Sequence, residues 1–359
     1  MKLRSLGDTV LMTAALAQVQ KAFAESRIDV LVPSEWAPLL ENTPGVFQVI
    51  PFQRESNPLK KSASLGRLAW RLRAENYDLV INFHASSTSA WLARATGAKS
   101  RAIHFHGHSH RNRFSTHLIA GKGQLKPIIE RDMDAVRSLG IHVPAGRLPQ
   151  IFLNPSEIAQ AKTHLEQLGL RQPVLGISLG ASRATKIWPL QRAAVLAFEW
   201  QTRQNGGVFV TAGPQEKHLT HEFLKLYDDL ILSSVTDTTK RAQLRCQIYA
   251  TTELSIRSLA AYLSQLSVLA CNDSGPKHLA IAVGTPTVSV FGPEHPFEWH
   301  PYPEDQHPYV FVEPLACRTS GNPERPAWCG LSTCIQEDHQ CMKLIGVNSV
   351  LSHCERIQK

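Results

Sequence analysis

The sequence predicts an α/β protein built from two parallel-sheet halves, and three observations carry that prediction. The chain has 359 residues, more than one ordinary core holds at roughly 100–200 residues per domain. Short Val- and Ile-rich runs alternate with longer segments of helical spacing, the pattern of βαβ units. The alternation also breaks off near residue 105 and restarts near residue 173.

In the first half, strands are expected at 28–33, 47–51 and 79–83, each bounded by Gly, Pro, Asn or Asp. Helices are expected over 9–24, 59–75 and 86–96. Residues 105–150 read as irregular and basic, and residues 151–172 as one bridging strand–helix piece, its helix over 155–168. The second half gives strands at 174–178, 208–212, 268–271 and 287–291, with helices over 189–204, 256–265 and 276–283. The tail from about residue 312 is rich in Cys, Pro and Gly and ends in a helical stretch, 345–356. These limits define two Rossmann-like domains, residues 1–160 and 161–340, followed by a terminal segment, 341–359. Ligands of open parallel sheets bind beyond the carboxyl ends of the strands, so two such halves facing a cleft put the expected site in that cleft.

Composition narrows the function. Hydrophobic content of 43% and aromatic content of 7% fit a packed globular chain. A formal charge of +8 suits an anionic partner: nucleic acid, a membrane surface or a phosphorylated substrate. No zinc-finger, RNP or helix-turn-helix signature supports nucleic acid, and none is expected as a partner. The G-x-G-x-x-G of a nucleotide-dependent oxidoreductase is missing after the first strand. Seven cysteines, an odd number, argue against a secreted disulfide framework and for a reducing cytosol. MKLRSLGDTVLMTAALAQVQ begins like a signal peptide, but Asp8 interrupts it and helical spacing continues through Phe23, so it reads as part of the fold. No apolar run approaches the ~18 residues that span a bilayer, so any membrane contact is expected to be peripheral.

Four stretches carry chemistry. CNDSGPKHLAIAVGTPTVSVFGP (271–293) ends a strand on Asn272-Asp273-Ser274-Gly275 and opens a helix at Pro276. Backbone N–H groups at that helix start, the Ser274 hydroxyl and the open approach at Gly275 make a phosphate site; alternatively, Asp273 or Ser274 only caps the helix. GISLGASRATKIWPLQRAAVLA (176–197) repeats the strand–turn–helix arrangement with Ser178, Ser182, Thr185 and Lys186. Lys186 either neutralises a diphosphate or is a solvated loop residue. In TAGPQEKHL (211–219), Glu216 either accepts from ribose hydroxyls or favours the helix dipole. In RSLGDTVLMTAAL, Asp8 is a general base or an N-cap.

Other signals are weaker. HFHGHSHRNRF alternates His104, His106, His108 and His110, which on a strand could hold a metal; Gly107 and the surrounding polarity read as a loop, and no metal is expected. Arg101, Arg111 and Arg113 suit the carboxylates and phosphates of an acceptor, with a solvated loop as the alternative. Cys317, Cys329, Cys334 and Cys341 are spaced more loosely than a zinc ribbon and read as free thiols. WRLRAENYD (70–78) reads as a solvated basic helix end rather than a lipid contact.

Taken in order, RSLGDTVLMTAAL, GxSxxAxRxTKIWP, GPQE and NDSGPKHLAIAVGTPTVSVFGP resemble glycosyltransferase family 9, the ADP-heptose lipopolysaccharide heptosyltransferases. The resemblance runs from residue 4 to about residue 357, and its last motif is the most specific. It implies a GT-B architecture with the C-terminal helix returning to the first domain. It also implies metal-independent, inverting transfer of heptose from ADP-L-glycero-D-manno-heptose to the Kdo or heptose of the lipopolysaccharide inner core. A relative using another nucleotide-sugar or another cell-surface glycan is the runner-up. ADP-heptose is then a substrate and no cofactor is implied; the enzyme is cytoplasmic and peripheral on the inner membrane. Asp8 matches the family's general base. Lys186, with Ser182 and Thr185, matches the donor-phosphate residues. Glu216 matches the ribose carboxylate, and Leu254 falls where an apolar side chain packs on adenine. Asp273, Ser274, Gly275 and His278 match the motif lining the diphosphate and donor sugar. Two departures stand out. Only MKLR precedes Ser5 where the family carries a strand, so the chain is expected to begin inside that strand and leave its neighbours' edges open. Lys277 stands where smaller or apolar residues also occur and is expected to add charge near the donor.

Overall fold

The computed structural model describes residues 1–104, 113–119, 126–318, 329–336 and 338–358. They divide into two units, Met1–Phe152 and Leu153–Lys359.

The first unit runs α1 (Leu6–Ala22), β1 (Ile28–Pro33), β2 (Val46–Phe52), α2 (Pro58–Ala74), β3 (Leu79–Asn82), α3 (Ser87–Ala95), β4 (Ser100–Ile103) and α4 (Ile128–Arg137). β1 pairs in parallel with β2, and β3 with β4. Residues 1–3 join these two ribbons. The Lys2 amide donates to Leu31 O at 3.0 Å, the Met1 amino group to Ile81 O at 2.8 Å, and the Phe83 amide to Met1 O at 3.0 Å. At these residues the edges of β1 and β3 are therefore bonded, not open as the short leader suggested. Leu3 packs with Leu31, Ile50, Leu72 and Leu92. α1 is buried from Leu6 to Leu16, with Asp8, Thr9 and Thr13 among the buried residues. α4 lies within the stretch expected to be irregular. Its apolar residues Ile129, Met133 and Val136 recur at helical spacing and are buried.

The second unit runs α5 (Pro155–Gln167), β5 (Leu175–Ser178), α6 (Leu190–Gln204), β6 (Val208–Thr211), α7 (Lys217–Ser234), α8 (Thr238–Cys246), β7 (Ile248–Thr251), α9 (Ile256–Gln265), β8 (Val268–Asn272), α10 (Gly275–Ala282), β9 (Thr287–Phe291), α11 (Pro296–Trp299), β10 (Tyr309–Phe311), α12 (Gln340–Lys343) and α13 (Val347–Ile357). The expected strand–helix piece at 151–172 is helix alone among the described residues. The sheet is parallel, in the order β10-β9-β8-β5-β6-β7. Its connections run one way from β5 and the other way from β8, so the topological switch point lies between those two strands. α13 buries Val350, Leu351 and Cys354 in this unit's core, beside Trp200, Val288 and Val290.

Candidate active site

Four neighbouring strands of the second unit end in step. Ser178 is level with Thr211 on β6 and with Cys271 on β8, and Thr211 is level with Thr251 on β7. Their following loops therefore leave one edge side by side. Those loops carry Asp273 and Ser274, Ser182 to Lys186, Glu216, and Leu254, which are the donor residues expected from the sequence. The loops after β5 and β8 flank the switch point, where open parallel sheets bind ligands.

At this edge Asp273 joins two cations. Its Oδ2 accepts from Lys186 Nζ at 2.6 Å and its Oδ1 from Lys277 Nζ at 2.6 Å. Burial alone would raise the Asp273 pKa; Lys277 and then Lys186 overturn that and hold it well below the usual carboxylate range. Lys277 is fully buried, also donates to Trp299 O at 2.9 Å, and lies 4.5 Å from the Phe291 ring centre. The charge of Lys277, expected near the donor, is held inside the protein by Asp273 and the Trp299 carbonyl. Beside it, Glu294 binds Arg183 and stands 3.9 Å from Lys186. Three cations against two carboxylates leave one net positive charge.

The cap alternatives at 273–274 fail. Asp273 gives its carboxylate to lysines, and Ser274, although the N-cap of α10, makes no side-chain cap bond. The Ser274 hydroxyl is buried and lacks a hydrogen-bond partner among the described residues, as does Trp299 Nε1. A polar atom buried unpaired costs about 1–3 kcal/mol, so a ligand oxygen reaching this helix start relieves a penalty. His278 is buried, its Nδ1 2.5 Å from the Tyr302 hydroxyl. Burial, reinforced by Lys277, keeps its pKa well below 6.5, so it is a neutral partner in the floor of the site.

Glu216 accepts from the Gly213 amide at 2.7 Å. It lies so close to Gly180 that a Cβ there would overlap the Glu216 carboxylate. The glycine thus lets the carboxylate lie across the β5 loop. Leu254 is half-buried just before Ser255, the N-cap of α9. Ser182 is exposed. Thr185 faces the tail instead: its Oγ1 donates to Leu331 O at 3.0 Å, and His339 Nε2 lies 2.9 Å from its carbonyl. Sequence reasoning missed Asn272, whose side chain donates to Leu179 O at 2.8 Å and accepts from the Trp188 amide at 2.9 Å. It fastens both ends of the Lys186 loop. Its position at a strand end, before the Asp-Ser-Gly-Pro turn, was the available signal.

In the first unit, Asp8 is not the N-cap. Ser5 caps α1 and donates to Asp8 Oδ2 at 2.6 Å. Asp8 Oδ1 is buried and without a hydrogen bond among the described residues. Lys2 Nζ stands 3.9 Å from it but is bound to both oxygens of Asp132, at 2.7 and 2.9 Å. Burial pushes the Asp132 pKa up to about 6, against the pull of Lys2. Arg101 is engaged with its own unit, donating to Phe114 O at 2.9 Å and to Ala98 O. Arg113 is exposed over the Phe114 ring. Arg111, His106, His108 and His110 lie outside the described residues. The seven cysteines are free. Cys317, Cys329, Cys334 and Cys341 line one small cavity with Thr185 and Arg318. No cluster of three or more metal-ligating side chains occurs among the described residues.

A parallel sheet whose switch point presents a helix N-terminus belongs to the open α/β class, whose ligands bind at that point and whose helix starts suit anions. Comparison with known proteins gives the family: residues 65–326 match the family model "Glycosyltransferase family 9 (heptosyltransferase)". The chain belongs to glycosyltransferase family 9 and is a glycosyltransferase. It is similar to lipopolysaccharide heptosyltransferase 3 of Escherichia coli, with 23% identity over 304 residues covering 84% of each chain. Among solved structures it resembles the family 9 glycosyl transferase of Veillonella parvula, at TM-score 0.75 and 20% identity over 99% of this chain and 96% of that one. It also resembles E. coli ADP-heptose lipopolysaccharide heptosyltransferase II, at TM-score 0.71 and 19% identity over 99% and 97%. The architecture is GT-B.

Proposed function

We propose that the chain transfers heptose from ADP-L-glycero-D-manno-heptose to the Kdo or heptose of the lipopolysaccharide inner core, inverting the anomeric centre without a metal. The observation that carries this is the net-positive sheet edge, where Lys186 and the start of α10 meet an unpaired Ser274 hydroxyl. An acceptor hydroxyl attacks the anomeric carbon while ADP departs, and Asp8 takes the hydroxyl's proton on Oδ1. A carboxylate is a weak base, so it acts late, when the attacking oxygen has become acidic. Such help is typically worth ~10²–10⁴-fold. The departing diphosphate gains charge, which Lys186 and the oriented N–H groups of α10 stabilise more in the transition state than in the ground state. Glu216 holds the ribose, Leu254 packs on the adenine, and Ser182 meets donor phosphate. Gly275 gives the diphosphate close approach, and His278 backs the sugar site. Arg101, Arg111 and Arg113 are assigned to the acceptor's carboxylates and phosphates, although Arg101 first has to release its backbone partners.

The enzyme works on the cytoplasmic face of the inner membrane as a peripheral protein. No helix among the described residues is long and apolar enough to cross a membrane. The test is incubation with ADP-heptose and purified truncated core acceptors, followed by mass spectrometry. A gain of one heptose is expected from the wild type and none from Asp8→Asn, which still binds ADP. No gain with any acceptor refutes the proposal, and wild-type turnover by Asp8→Asn refutes the base.

A further inference from the structure

α2 carries two apolar stripes where a surface helix needs one. Leu65, Leu68, Ala69 and Leu72 turn inward and pack in the core with Leu3 and Leu31. On the far side Leu59, Ala63, Gly66 and Trp70 follow one another at i, i+4, i+7 and i+11, which is again one helix face. This second stripe is in solvent, with Leu59 83% and Trp70 77% exposed. Lys60, Arg67, Arg71 and Arg73 accompany it, all exposed, and Pro58–Ala74 contains no Asp or Glu. An indole and a leucine held in water on a stripe rimmed by cations fit one kind of partner. Aromatic rings of this type settle where apolar and wet surroundings meet, and Lys and Arg beside them meet lipid phosphates. A protein partner of matching shape would need an acidic rim, and a nucleic acid would leave the leucine unused.

We infer that α2 lies on an anionic lipid surface, with Trp70 and Leu59 entering the headgroup region and Lys60, Arg67 and Arg71 at the phosphates. This names the surface behind the proposed membrane location, and rests on that proposal only for which membrane is met. The test uses the full chain, sedimented with vesicles of phosphatidylglycerol and phosphatidylethanolamine or of phosphatidylcholine alone. Binding is expected to the first and not the second, and to weaken as salt is raised. Trp70→Ser and Leu59→Ser should each lower partitioning about tenfold. Arg67→Gln with Arg71→Gln should lower it about 25-fold, at about fivefold per cation. Trp70→Ser should turn over a water-soluble truncated acceptor at the wild-type rate. Equal partitioning of wild type and Trp70→Ser overturns the inference, as does a dimer that Trp70→Ser converts to monomer. Intact vesicle binding by a chain that transfers heptose to no acceptor supports the inference and sinks only the transfer reaction.

Discussion

Replacing Lys277 with Met isolates the charge balance of the donor edge. Lys277 is fully buried, and its ammonium sits 2.6 Å from Asp273 Oδ1 and 2.9 Å from Trp299 O. Met keeps the length and the packing beside Phe291 but removes a cation whose carboxylate partner stays behind. Breaking a buried pair from one side costs about 3–5 kcal/mol. Asp273 keeps Lys186 at 2.6 Å, which puts the cost near the lower end, about 3 kcal/mol. In a unit of this size 1 kcal/mol moves Tm by roughly 2–4 °C, so the second unit should melt about 6–12 °C lower. The edge also loses its net positive charge, and Lys186 is drawn more fully onto Asp273. A loss of about 1.4 kcal/mol in phosphate attraction raises the Kd for ADP tenfold. Calorimetric melting and isothermal titration with ADP measure the two effects separately. An unchanged melt together with unchanged ADP affinity would refute the account of Lys277 as a structural counterion at the donor site.

Three further outcomes are expected. Asp132→Asn leaves the buried Lys2 ammonium to turn toward Asp8 Oδ1, 3.9 Å away; the first unit should lose about 3 kcal/mol and turnover should fall, with chemical denaturation and a heptose-transfer assay as the measurements. Gly180→Ala pushes a methyl into Glu216. The carboxylate is a flexible tip, so stability should change little while ADP affinity drops, and unaltered ADP titration would remove Glu216 from the ribose site. Finally, burial lowers the pKa of His300 to about 3 and of His307 to about 4, and that of His278 well below its usual value. Each folded value lies below the unfolded ~6.5, so the unfolded chain binds the extra protons on acidification. The stability contribution is complete above about pH 6.5 and is lost as pH falls to about 4 for His307 and about 3 for His300, at about 1.4 kcal/mol per pH unit for each histidine. Urea midpoints that stay flat over that range would contradict the neutral, buried assignment.

Long apolar runs made much of the fold legible. The strands at 28–33 and 287–291 came out with their predicted ends, because Val and Ile crowd both faces of a buried parallel strand. β4, β7 and β10 escaped notice because SRAI, IYAT and YVF are only four, four and three residues long. α7 was missed although Leu219, Phe223, Tyr227 and Ile231 repeat at helical spacing; its many charges masked the stripe. The loops after β5, β6 and β8 could be placed because glycine, proline and small polar residues mark turns at strand ends. The pairing of Lys277 with Asp273, and of Lys2 with Asp132 across 130 residues, could not. A one-dimensional pattern gives the charge of a side chain but not the partner that tertiary packing brings to it.

The loop from Arg183 to Lys186 is gripped from behind by residues some 150 positions later. Gly330 O takes the Arg183 guanidinium, Leu331 O the Thr185 hydroxyl, and His339 the Thr185 carbonyl. The placement of Lys186, the residue proposed to hold donor phosphate, therefore depends partly on this later segment. Substituting His339, 154 positions from Thr185, would loosen the Lys186 loop without touching the loop's own sequence.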